Sequence, residues 1–192
     1  MNLTAVLIAG GTSARMGTDK AFLEYRGLPL WHHQLNTLRT LDPAQIIISA
    51  NRGQHFAVGD ALVTRDEFPN KGPLGGIVTA FKNAQHPWVL VLGIDLPLVT
   101  PEFLKHELLF RTYQESGVVF THAGKYQPLA ALYPKRLLLM AQENLRRDKL
   151  SLQDFVGAAI GQGALQEFPL PTDTVSQFTN VNTPADLEKL TG

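Results

Sequence analysis

Arg15 and Lys20 stand within ten residues of a glycine pair, Gly10-Gly11, that closes an apolar run from Leu3 to Ile8. The run reads as a buried first strand. The glycines let the backbone turn sharply and come close to a ligand, and N–H groups freed in such a turn form an anion nest. A strand, a glycine turn and two nearby cations together suit a triphosphate. Three further polar groups follow apolar strands in the same way. Asn51 follows Gln45 to Ala50, Asp66 follows Ala61 to Thr64, and Asp95 follows the most apolar run, Trp88 to Leu92. Ligands of open α/β sheets lie outside the carboxyl ends of the strands, so Gly10-Gly11, Asn51, Asp66 and Asp95 are expected on one crevice. A carboxylate ending so apolar a run is costly unless partnered. Either a cation or a turn role before Pro97 answers that cost for Asp95. For Asn51 and Asp66 the plain alternatives are an Asx turn and an ion pair with Arg65 or Lys71.

The common phosphate-loop patterns are absent. Lys20 follows Asp19 and precedes Ala21, so there is no G-x-x-x-x-G-K-[ST], and no G-x-G-x-x-G occurs either. Ala9 to Lys20 instead reads A-G-G-x-S-x-R-M-G-x-D-K without a gap. That stretch resembles the signature loop of nucleotidyltransferases with a GT-A-like fold, and its Arg-Met-Gly-x-Asp-Lys form resembles the molybdenum cofactor guanylyltransferases. Gly93-Ile94-Asp95-Leu96-Pro97 is similar to the family's G-x-D-x-P element, Lys71 to Gly76 to its G-P-L-x-G loop, and Asn180-Val181-Asn182-Thr183-Pro184 to its N-x-N-T-P closing element.

The resemblance implies transfer of GMP from GTP to molybdopterin, with release of pyrophosphate. It implies Mg²⁺ held by Asp95, and phosphates faced by Lys20 and Arg15, so that Arg15, Lys20 and Asp95 are the catalytic set. The nucleotide would be bound by Ile8, Ala9, Gly10, Gly11, Lys20, Asn51, Asp66, Gly75 and Asp95, and Asn180 or Asn182 would stand by the acceptor or in the metal's shell, an Asx turn before the last helix being the plain alternative for Asn182. Guanine offers N1–H and N2–H₂ donors beside an O6 acceptor, which a carboxylate and an amide can complement. The same chemistry on CTP, a sugar-phosphate nucleotidyltransferase and a non-catalytic GTP sensor are the competing readings. Proteins that deliver molybdopterin or mature molybdoenzymes are the further partners such an enzyme implies.

The elements that would position these groups alternate. Strands are expected at Leu3–Ile8, Gln45–Ala50, Ala61–Thr64, Trp88–Leu92, Gly117–Thr121, Leu129–Tyr133 and, at an edge, Leu165–Phe168. Helices are expected at 30–41, 77–84, 101–115, 134–147, from Ser151 to Val156, and 184–190. Ala21 to Tyr25 reads as extended, and 68–76 and 122–126 as loops. Thr183 with Pro184 and Asp186 is a variant capping box. Alternation of this kind predicts a single three-layer α/β/α domain over 1–192 with a mainly parallel, Rossmann-like sheet. Arg146, Arg147 and Lys149 read as a basic helix end that either offsets the dipole or holds a substrate phosphate. Lys plus Arg and Asp plus Glu number 17 each, so no global field favours nucleic acid or an anionic membrane. The chain has no cysteine, lacks a basic leader before its first apolar segment, and has no run approaching the ~20 apolar residues of a membrane span. A cytoplasmic protein is expected.

Overall fold

The computed structural model describes residues 2–10, 19–111 and 116–191. Gly11 and Arg15, and the far end of the helix expected at 101–115, lie outside the described residues. The strands are β1 (Leu3–Ile8), β2 (Glu24–Tyr25), β3 (Leu28–Pro29), β4 (Gln45–Ala50), β5 (Leu62–Arg65), β6 (Trp88–Gly93), β7 (Gly117–His122), β8 (Lys125–Tyr126), β9 (Ala130–Pro134) and β10 (Leu165–Pro169). The main sheet runs β10-β7-β9-β6-β1-β4-β5, with β8 paired to β7. β6, β1, β4 and β5 are parallel neighbours, as are β7 and β10, whereas β9 runs antiparallel between β6 and β7. The mainly parallel sheet expected from the sequence is present, with β9 as the inserted exception.

Parity along each strand separates two cores. Leu3, Ala5 and Leu7 of β1 join Ile46 and Ile48 of β4, Leu90 and Leu92 of β6, and Val118 and Phe120 of β7 in the front core. Val6, Ile8, Ile47, Val89, Val91 and Val119 face the back core. The front is covered by α1 (Leu30–Arg39), by α3 (Pro101–Phe103), which runs into a π-helical segment Leu104–Leu109, and by α6 (Pro184–Thr191). The back is covered by α2 (Gly72–Asn83), α4 (Leu138–Arg146) and α5 (Leu152–Gly161). This is the expected three-layer α/β/α arrangement.

Several local expectations are corrected. Lys20–Phe22 is a 3₁₀ turn rather than extended chain, because the Asp19 side chain caps it by accepting from Ala21 N at 3.0 Å. α2 begins at Gly72, five residues before the expected start. Pro73 fits its first turn because no backbone partner is needed there, and Gly75 and Gly76 sit inside the helix for packing reasons given below. Residues 122–126 form a two-residue hairpin, with Ala123 and Gly124 at φ +49° and +72°, the left-handed pair that matches strand twist. Beyond Phe103 the chain expected as α-helix continues as the π-helical segment, in which Phe110 N reaches back to Lys105 O at 3.2 Å. Pro134 closes β9, so the helix expected from it starts only after a 3₁₀ turn at Lys135–Leu137. The helix from Ser151 runs on to Gly161.

Candidate active site

Register places the candidate residues along one edge. Ile8 of β1 pairs with Gly93 of β6 and with Ser49 of β4, and Ala50 of β4 pairs with Arg65 of β5. The next residues therefore leave the sheet side by side: Gly10, Asn51, Asp66 and Asp95. All four sit where the sequence put them.

At the β1 end, Ala9 N and Gly10 N both donate to Ser49 O, at 3.0 and 3.1 Å. Ile8 O accepts from Ile94 N at 3.0 Å, and Ala9 O accepts from Gln54 Nε2 at 3.2 Å. The Asn51 side chain lies so close over Gly10 that a Cβ there would stand 2.7 Å from Asn51 Oδ1. Gly10 is thus required by the close approach of the Asn51 side chain to the chain just after β1.

Asp66 lies against the start of α2. Its Oδ1 accepts from Phe68 N at 2.8 Å and from Thr79 Oγ1 at 3.4 Å. A Cβ on Gly75 would stand 3.2 Å from both carboxylate oxygens and 2.9 Å from Phe68 O, so the glycine gives Asp66 its place. A Cβ on Gly76 would meet Ser49 Oγ at 2.9 Å. Burial raises the Asp66 carboxyl above the ordinary aspartate value, against the lowering effect of the Phe68 and Thr79 hydrogen bonds. The ion pair considered for Asp66 does not involve Lys71, which bonds Asp148 at 2.8 Å.

Asp95 is the most constrained group. Gln34, fully buried on α1, donates its Nε2 to Gly93 O at 3.1 Å and to Leu96 O at 2.7 Å, clasping the turn on both sides of Asp95. Val181 N donates to Asp95 O at 2.8 Å and pins the closing segment to that turn. Gly93 has no room for a side chain, because a Cβ would strike Asp95 Oδ1. Oδ1 itself is buried with no hydrogen-bond partner among the described residues. Burial pushes the carboxyl above the usual aspartate value, and the charge of Lys20 only partly opposes this.

Lys20 reaches the same place. Its Nζ donates to Asn182 Oδ1 at 2.9 Å. Burial holds its ammonium below the ordinary lysine value, although Asp95 and Asp186 pull it up. Each member of the Lys20–Asp95 pair is thus shifted toward its neutral form despite their mutual attraction: desolvation outweighs the pairing. Such a site gains from a further cation at Asp95 and a further anion at Lys20.

The end of the chain closes the crevice. Asp186 Oδ2 accepts from Asn182 N and Thr183 N at 3.0 and 2.9 Å, while Asp186 N bonds Thr183 Oγ1 at 3.1 Å. This is the capping box expected at Thr183, and those bonds hold the Asp186 carboxyl below its ordinary value. Asn182 therefore serves Lys20 through its side chain and the cap through its backbone. Asn180 is exposed on the other side of the buried Val181. Arg146 and Arg147 pair with Glu143 at the end of α4, a partner the sequence reading did not name.

Two buried glutamines escaped the sequence reading. Gln34 shares the Leu30–Leu38 stripe of α1, where a polar residue at helical spacing among leucines was the available signal. Gln54 gave none, since the segment 51–61 has no period.

The fit to magnesium rests on the donor set. Asp95 offers one unclaimed buried carboxylate oxygen, and among the described residues no cluster of three or more His, Cys, Asp or Glu surrounds it. One carboxylate completed by phosphate oxygens and water suits Mg²⁺ better than an all-protein cage would.

A family model described as "MobA-like NTP transferase domain" matches residues 5–160. The chain is 34% identical over 190 residues to an Opitutus terrae protein named "Probable molybdenum cofactor guanylyltransferase", covering 97% of this chain and 94% of that one. It is 32% identical to the molybdenum cofactor guanylyltransferase of Pseudomonas putida strain F1, covering 95% and 94%. Among solved structures, molybdopterin-guanine dinucleotide biosynthesis protein A of Archaeoglobus fulgidus superposes with a TM-score of 0.67 at 21% identity, over 97% of this chain and 95% of the other. The 2-C-methyl-D-erythritol 4-phosphate cytidylyltransferase of Thermus thermophilus gives 0.73 at 18% identity, over 98% and 96%. These two show a shared nucleotidyltransferase fold.

Proposed function

The chain belongs to the MobA-like NTP transferase family, and on that premise we propose that it transfers GMP from GTP to molybdopterin, releasing pyrophosphate. The observation that carries the reading is the convergence of Lys20, Asp95 and Asn182 at the sheet edge, alongside the ends of β4 and β5 that carry Asn51 and Asp66. The names of the full-length relatives support guanine as the base and molybdopterin as the acceptor.

In this mechanism the terminal phosphate of molybdopterin attacks the α-phosphorus of GTP in line. A new P–O bond forms as the bond to pyrophosphate breaks. The attacking oxygen is already anionic, so no general base is needed. Lys20, aimed by Asn182, holds the phosphates and meets the charge that gathers on the leaving group; Arg15 is assigned the same task. Fixed charges of this kind lower the barrier because they need no reorganisation during the reaction. Asp95 would hold Mg²⁺, which would supply charge neutralisation to the phosphate oxygens. Asp66 accepts from the guanine N1–H and N2–H₂ edge, Asn51 serves that base beside it, and backbone groups of Ile8, Ala9, Gly10 and Gly11 line the nucleotide. Gly75 admits the base beside Asp66, and Asn180 stands with Asn182 on the acceptor side.

The test is incubation of the protein with Mg²⁺, molybdopterin and GTP, CTP, ATP or UTP in turn, following pyrophosphate and dinucleotide. Product with GTP alone is expected. Product with CTP alone keeps the fold and phosphate site but overturns the base assignment. GTP binding without product overturns the enzyme in favour of a sensor.

A further inference from the structure

Gln54 touches three separate parts of the crevice with one side-chain amide. Its Oε1 accepts from Asn51 N at 2.7 Å. Its Nε2 donates to Asp19 Oδ2 at 2.7 Å and to Ala9 O at 3.2 Å. Both amide hydrogens and the oxygen are therefore engaged, and the residue is 5% exposed. The three partners belong to different functional regions. Asn51 is on the base side, Ala9 directly follows β1, and Asp19 is the penultimate residue of the signature loop and caps the turn that begins with Lys20. A surface glutamine would satisfy its amide with water; this one is spent wholly on joining the end of β4 to the chain on both sides of residues 10–18.

We propose that Gln54 is a positioning residue that locks the base-side strand end to the Asp19–Lys20 turn, so that seating the guanine and aiming Lys20 at the phosphates become one event. The inference rests on the guanylyl-transfer reading. Gln54 itself touches neither base nor phosphate. It acts through the backbone of Asn51 and through Asp19, whose other carboxylate oxygen fixes Ala21 N. Displacing Asp19 moves the 3₁₀ turn, and with it the root of the Lys20 side chain.

The polarity of the bond supplies the test. In Q54E one carboxylate oxygen still accepts from Asn51 N, but nothing donates to Asp19 or Ala9, and two carboxylates face each other. In the double variant D19N/Q54E the amide at position 19 donates to the carboxylate at position 54 and still caps Ala21 N through its oxygen, restoring the link with donor and acceptor exchanged. We would measure the Kd for GTP with Mg²⁺, the kcat for pyrophosphate release at saturating molybdopterin, and the thermal midpoint. For Q54E we expect kcat to fall roughly 10- to 100-fold, the range a misplaced catalytic group costs, with a much smaller change in Kd because the Asn51 side is kept. D19N/Q54E should recover most of the lost kcat. Q54M, which breaks all three bonds, should weaken GTP binding as well. A role in stability alone would lower the midpoint and leave kcat and Kd of the folded protein unchanged, and that result overturns the proposal. So does a double variant whose loss equals the product of the two single losses. Wild-type protein that transfers GMP while Q54E matches it refutes the coupling and leaves the functional reading standing. Wild-type protein that binds no nucleoside triphosphate overturns both.

Discussion

Replacing Asp95 by asparagine should make the isolated protein more stable and the enzyme inactive. The substitution keeps shape and removes a charge. Asp95 Oδ1 is buried with no hydrogen-bond partner among the described residues, so the charge of the carboxylate is desolvated at a cost to the fold. The pull of Lys20 recovers part of this, yet the carboxyl still lies above its ordinary value because burial outweighs that pull. Neutralisation removes the desolvated charge and should therefore raise Tm in chelator, each ~1 kcal/mol gained being worth about 2–4 °C for a chain of this size. Mg²⁺ with GTP reverses the ranking. A ligand at 100 times its Kd stabilises the folded state by about 2.7 kcal/mol, and D95N should lose most of that. Calorimetry in chelator, and again with Mg²⁺ and GTP, reads both arms; pyrophosphate release reads activity, which should fall at least ~10²-fold. The reasoning is refuted if D95N melts below the wild type in chelator, or if Mg²⁺ with GTP stabilises both proteins equally.

Stability in chelator should also depend on pH through the same group. A carboxyl with a raised folded value binds more protons folded than unfolded, so it contributes a loss of stability as pH rises. The Tm gap between D95N and wild type should be full above the raised value and close as pH falls toward the ordinary aspartate value; a gap independent of pH contradicts the assignment. K20M should lower kcat about 10²–10³-fold while circular dichroism stays unchanged, and N182A should lower it less, because it removes the aim of Lys20 and not the cation; equal losses would separate Asn182 from that task. T183A breaks one arm of the capping box and should cost about 1 kcal/mol, read as a lowered urea midpoint at constant m. D66N should weaken GTP binding more than CTP binding in competition assays, since it withdraws an acceptor from the guanine donor edge; an equal change for both would remove Asp66 from base reading.

The sheet and its edge were legible because both obey short-range rules. Apolar strands followed at once by Gly10, Asn51, Asp66 or Asp95 announce a parallel sheet and its ligand side together, and the register confirms that they align. Thr183 and Asp186 were legible because a capping box is local. What the sequence hid depends on distant partners. Breaker-rich 72–76 looks like loop until Asp66 and Ser49 are seen to need the space that side chains on Gly75 and Gly76 would take. Residues 122–126 read as loop because an alanine at positive φ carries no sign of the turn it makes. Gln54 and the bond from Lys20 to Asn182 join segments whose sequences say nothing of each other.

That last bond has a consequence for how the protein comes into being. Lys20 and Asn182 are 162 positions apart. During synthesis at about 5–20 residues per second, Lys20 waits roughly ten to thirty seconds before its partner is made. The strands β1, β4, β5 and β6 can assemble in that interval, and the crevice can form with Asn51 and Asp66 in place and Lys20 unanchored. The docking of α6 is then the event that turns a folded scaffold into a working site, so a nascent chain acquires its shape well before its chemistry.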